Sequence, residues 1–154
     1  MKRFLLFPLL AALCAGLLPG ANLTERKVLT LEGVKAIAAA AEAEAVKNSW
    51  NVVIVILDEG GNLRFLQRMD GAQVGSVEVA TQKAKSAFLF KRPTRAFQDG
   101  MAQRPALVRL PGAMPFEGGL PIEVDGHVIG AIGVSGVTSE QDAQIGRAGL
   151  AALK

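Results

Sequence analysis

The sequence predicts an α+β domain with helices gathered around an antiparallel sheet, and three observations carry this. Hydrophobic periodicity gives the order helix, two strands, helix, short helix, two or three strands, helix. The strand pairs are joined by the tight turns Asp58-Glu59-Gly60-Gly61 and Asp125-Gly126, which make antiparallel neighbours without the long crossovers a parallel sheet needs. At 154 residues the chain supports one substantial core and not two.

Residues 1–21 have the form of a secretory signal: Lys2 and Arg3, an apolar run over residues 4–18, then small residues around Ala15, Gly16, Gly20 and Ala21. The run is shorter than the roughly 20 residues that span a bilayer, and Pro8 interrupts it. The expectation is a cleaved peptide, no stable membrane anchor, and a periplasmic or secreted domain over residues 22–154. Cys14 is the only cysteine, so the cleaved chain has none for a disulfide or a thiolate metal site. Leu13 stands where a lipidated cysteine is normally preceded by a small residue. The leader holds two of the 17 basic residues and none of the 14 acidic ones, so the net charge falls from +3 to +1. No basic block or interleaved aromatic pattern marks a nucleic-acid surface.

Residues 30–48 carry Leu31, Val34, Ala38, Ala41 and Ala45 at helical spacing, with Thr30 as N-cap. Residues 50–57 (WNVVIVIL) are almost continuously apolar and β-branched, as in a strand covered on both faces. After the turn at residues 58–61, residues 62–69 return as a second strand. Val77, Ala80, Ala84 and Phe88 line a helix over residues 76–90, which Pro93 ends. Thr94 is placed to cap a short helix reaching Met101. Residues 104–119 hold three prolines and three glycines and read as loop, with room for a short strand at residues 106–108. Residues 120–124 and 127–135 form the glycine-rich hairpin, and Ser139 with Asp142 resembles a capping box opening a last helix. Helices clustered around such a sheet suggest a profilin-like sandwich.

Glycine inside a strand marks close approach by a ligand or by another backbone, and both readings fit Gly130 and Gly133. The sequence has no GxSxG, no P-loop and no metal-spaced histidines, so an enzyme is not the leading reading.

Three segments in order, QRMDGA at residues 67–72, KAKSAFLFKRPT at residues 83–94, and GGLPI…GAIGVSG at residues 118–136 followed by Asp142, resemble the GlcG/HbpS family, the haem-degrading domain family. The resemblance covers roughly residues 28–153. It implies a five-stranded antiparallel sheet, homo-oligomers, and in several members haem or corrinoid binding. It also implies that a tetrapyrrole lies against Pro93-Thr94, with Thr94 as the residue matched to the iron. A hydroxyl is a weak iron ligand, and the single histidine, His127, excludes a bis-histidine site within one subunit.

Around that corner, Arg92 and Arg95 are candidates to pair ligand carboxylates such as haem propionates. Lys83, Lys85 and Lys91 complete a cationic region whose plain reading is a solvated helix face. Phe97 and Phe116 are candidate apolar walls, and Gly118 and Gly119 a close backbone approach. His127, just after the hairpin turn, reads either as a metal or haem ligand or as a surface histidine. The expectation is a homo-oligomeric protein binding haem or a related small ligand between the Pro93-Thr94 region and the glycine hairpin. Two alternatives stand beside it: an enzyme or accessory factor for a small oxidised metabolite, using Arg92, Glu117 and Asp142, and a structural interaction module.

Overall fold

In the computed structural model, which describes residues 24–153, the first element is α1 (Leu31–Lys47). Thr30 caps it with Oγ1 accepting from the Gly33 N–H at 3.1 Å, and Val34, Ile37, Ala38, Ala41 and Ala45 form its buried stripe. The leader expected over residues 1–21 lies outside the described residues. β1 (Val53–Leu57) and β2 (Leu63–Arg68) follow as an antiparallel hairpin. Its turn is held by Asp58 Oδ1, which accepts from the N–H groups of Gly60 (2.9 Å) and Asn62 (2.8 Å). Next come α2 (Ser76–Phe90), α3 (Arg95–Gly100), a 3-10 turn (Pro105–Arg109), β3 (Gly119–Val124), β4 (His127–Ser135) and α4 (Ser139–Leu150).

The sheet runs β2-β1-β4-β3 with every pair antiparallel. It has four strands among the described residues, not five. The short strand expected at residues 106–108 is part of the 3-10 turn. Pro105 stands at its start with a fixed φ, and Leu107 and Leu110 donate to the carbonyls of Arg104 and Leu107, the three-residue spacing of that helix. The last helix also begins differently from the expectation. Thr138 is its N-cap and Gln141 the reciprocal partner, with Thr138 Oγ1 accepting from the Gln141 N–H at 3.3 Å. Asp142 is thereby left for another role.

β1 is central and buried along its whole length. Its alternate residues point to opposite layers. Ile54 and Ile56 join Ile132, Val134, Leu120 and Ile122 under α1 and α4, while Val53, Val55 and Leu57 lie under Ala80 and Ala84 of α2. The α2 layer is unusually close. A Cβ on Gly133 would stand 2.6 Å from the Ala84 nitrogen and nearer still to the Ala80 carbonyl oxygen, and one on Gly119 would meet the Lys83 backbone and Thr94 Cγ2 at 2.7 Å. These two glycines are therefore the floor on which α2 rests.

Candidate functional site

The corner after α2 is built by backbone geometry. Lys91 takes the left-handed conformation (φ 50°) and closes the helix by donating to the carbonyls of Ala87 and Phe88. Pro93 then turns the chain into α3. Thr94 is fully buried, and its hydroxyl does not cap α3. Instead Thr94 Oγ1 accepts from the Gly119 N–H at 3.0 Å, and the Thr94 N–H donates to the Gly119 carbonyl at 2.9 Å. One residue thus satisfies both outward-facing backbone groups of Gly119 at the start of β3. The hydroxyl expected beside an iron lies inside the subunit.

The expected site residues divide into two sets. Arg92, Pro93, Arg95 and Phe116 are exposed, whereas Thr94, Phe97, Gly118 and Gly119 are buried. Phe97 packs edge-on against Phe90 with ring centres 4.9 Å apart, and Arg92 lies over its ring at 6.0 Å. Arg95 is occupied by Asp99 at 2.9 Å and by the buried Glu117 at 3.0 Å, while Arg147 approaches Glu117 at 3.5 Å. Those bonds, to Asp99 first and Glu117 second, hold the Arg95 guanidinium pKa above its ordinary value.

Beneath Gly118 lies an ion pair that the sequence reading placed on a solvated face. Lys83 Nζ meets Asp142 Oδ2 at 2.7 Å, with the side chains 3% and 2% exposed. Asp142 Oδ1 also accepts from the Val137 N–H at 3.2 Å. Burial pushes the Asp142 carboxyl up, and Lys83 and the backbone donors oppose it. Gly118 has a φ of 123°, and a Cβ there would stand 2.9 Å from Lys83 Nζ, so only glycine passes over the pair. The signal for Lys83 was available: it falls on the stripe of Ala80, Ala84 and Ala87, which α2 buries. Of the residues considered for an enzyme, Glu117 and Asp142 are engaged in separate ion pairs and Arg92 points to neither.

Two openings stand out among the described residues. A groove of about 410 Å³ runs beside β3, lined by Pro93, Leu120, Pro121, Ile122, Leu150 and Arg147 among others. A larger recess of about 920 Å³ lies at the other end of the β3–β4 hairpin, against the C-terminus of α2. Phe88, Leu89, Val124 and Val128 supply its apolar wall, Arg26, Lys27 and Lys91 its cations, and His127 an imidazole. Asp125 (φ 52°) and Gly126 (φ 75°) form the turn that sets His127 at the rim, and Lys27 pairs with Asp125 to hold residues 24–27 alongside. Glu59 also lines the recess, and its Oε2 is buried with no hydrogen-bond partner among the described residues. No group of three or more His, Cys, Asp or Glu among the described residues could hold a metal ion by itself.

Fold and openings define an α+β domain with a concave recess at a hairpin tip. The family model for haem-degrading HbpS-like proteins matches residues 29–151, and the chain belongs to that family. It is 41% identical over 109 residues to the protein GlcG of Escherichia coli strain K12, an alignment covering 70% of this chain and 81% of GlcG. The crystal structure of HbpS superposes with a TM-score of 0.81 at 36% identity, covering 89% of this chain and 98% of that one. A crystal structure of a PduOC–haem complex superposes with a TM-score of 0.76 at 30% identity, covering 82% of this chain and 95% of that one.

Proposed function

We propose that the protein is an exported, homo-oligomeric binding protein for haem or a related tetrapyrrole, and that the ligand occupies the recess at the hairpin tip. The haem carried by the PduOC relative supports the ligand class. One observation about this chain supports the place: the large recess brings the single histidine, an apolar wall and three cations together. These suit a tetrapyrrole with acidic side chains, because its ring is apolar, its carboxylates seek Lys or Arg, and an imidazole nitrogen is a common ligand of its iron. The groove beside Pro93 offers one cation and no imidazole. Thr94 lines neither opening.

His127 would hold the iron through one ring nitrogen, Lys91 with Arg26 or Lys27 would face the carboxylates, and Phe88 and Leu89 would cover the ring. Bound haem supplies the iron chemistry; the protein supplies orientation and exclusion of water. The reading also takes the layer order, two helices, sheet and one helix, as profilin-like, and residues 1–21 as an export signal. Titrating the purified protein with hemin tests the ligand: a saturable Soret band at micromolar hemin is expected, and a linear, unsaturated increase would end the haem reading.

A further inference from the structure

The turn joining β1 to β2 uses one of its two carboxylates and leaves the other over. Asp58 serves the turn itself: its Oδ1 accepts from the N–H groups of Gly60 and Asn62, and the Asn62 side chain donates to it as well. Glu59 has no such duty. It lines the recess at the hairpin tip, and its Oε2 is buried with no hydrogen-bond partner among the described residues. A carboxylate oxygen held out of water without a donor is costly, and the cost is relieved by whatever enters the recess with a positive charge.

Packing brings this turn against the other walls of the recess. β1 ends with Leu57 opposite Ala131, and β4 runs back from there to His127, so the turn lies beside the first residues of β4. A Cβ on Gly61 would stand 2.9 Å from the Phe88 ring, and one on Gly130 would meet the Leu57 carbonyl, so helix, turn and strand close on one another here. Glu59, Phe88 and His127 border one space. Its cations do not answer Glu59: Lys27 pairs with Asp125, and neither Arg26 nor Lys91 supplies a donor to Oε2. The other carboxylates along it, Glu25, Glu123 and Asp125, are exposed and screened by water and salt.

We infer that Glu59 is a specificity-determining residue of the recess, and that it makes the site prefer a tetrapyrrole whose metal centre carries a net positive charge over one whose centre is neutral. The inference rests on the tetrapyrrole site proposed above. A porphyrin that has lost its two inner protons leaves a trivalent ion with one net positive charge and a divalent ion with none. The peripheral carboxylates are the same in both cases and meet the same cations. Only the charge at the centre differs, and Glu59 is the one carboxylate of the recess with an oxygen held out of water, where attraction between charges is several-fold stronger than in bulk solvent. For iron, the same preference favours the ferric over the ferrous state.

Fluorescence titration of the purified protein with gallium(III) protoporphyrin and with zinc(II) protoporphyrin tests it, because both metals accept an imidazole and neither changes oxidation state. Expected is a parent that binds the gallium form about tenfold or more tighter than the zinc form. Glu59→Gln keeps the shape of the side chain and removes its charge, so it brings the two affinities within about twofold of each other. Glu59 is partly exposed in a turn, and the circular dichroism and melting of the variant stay as in the parent. Equal affinities in the parent, or a gallium preference that survives in Glu59→Gln, would overturn the inference and leave tetrapyrrole binding intact. A parent that binds neither porphyrin would overturn both, so the two failures are told apart.

Discussion

Replacing Gly133 by alanine inserts one methyl group between the sheet and α2, and the outcome decides what the strand glycines are for. The new Cβ would lie 2.6 Å from the Ala84 nitrogen and closer to the Ala80 carbonyl oxygen, where ordinary contact begins at 3.4 Å. Neither atom can swing aside, because both belong to helix backbone. α2 must lift, and that loosens the layer of Val53, Val55, Leu57, Ala80 and Ala84. Overpacking against movable side chains costs about 1–3 kcal/mol, and displacing a backbone raises this toward the roughly 3–5 kcal/mol of a large core truncation. For a chain of this size that lowers Tm by about 6–20 °C. Urea and thermal unfolding measure it. Gly75→Ala is the control: its φ is −62° and nothing lies within 4 Å of the added Cβ, so stability is unchanged or rises by about 0.4–1 kcal/mol. A Gly133→Ala protein within about 1 kcal/mol of the parent that has lost its ligand would refute the packing account and return the glycine to the binding site.

Lys83→Met leaves the Asp142 carboxylate buried without its cation and is expected to cost about 3–5 kcal/mol in urea unfolding. Lys83→Met with Asp142→Leu regains part of that loss, and strictly additive losses would contradict a coupled pair. Asp58 carries a pH signature. Burial alone would raise its carboxyl, but the N–H groups of Asn62 and Gly60 together bring it below its ordinary value. A carboxyl lowered in the folded state adds stability that is complete above its unfolded pKa of about 3.9 and is lost as pH falls through the lower folded value. Stability of Asp58→Asn followed from pH 7 to pH 2 therefore falls less steeply at the acid end than that of the parent, and parallel curves would contradict the turn assignment. Thr94→Val strands the Gly119 N–H and costs about 1–3 kcal/mol, while the hemin titration of the folded protein is unchanged.

Much of the fold was legible because periodicity and turn chemistry act locally. Thr30, the alanine stripe of α1, the apolar run of β1 and the Asp125-Gly126 turn each state their structure within a few residues. The 3-10 turn starting at Pro105 was not read, because the proline- and glycine-rich composition around it reads as loop. Thr94 was read as a helix cap because the partner its hydroxyl takes instead, Gly119, lies 25 residues away. Asp142 was read as a cap because Thr138, one position before Ser139, could not be preferred on composition. The recess was not legible at all: residues 24–27, Glu59, Phe88, Leu89, Lys91 and the hairpin tip come together only when α2 and β4 are packed. His127 was named, but nothing local shows that apolar and cationic neighbours surround it.

The account turns on where the ligand sits, and hemin spectra of three proteins compare the two places directly. His127→Ala is expected to shift the Soret maximum and weaken binding at least tenfold, whereas Arg92→Ala with Phe116→Ala, both exposed at the Pro93-Thr94 corner, titrates like the parent. A His127→Ala spectrum identical to the parent's, with binding lost in the corner variant, would contradict it.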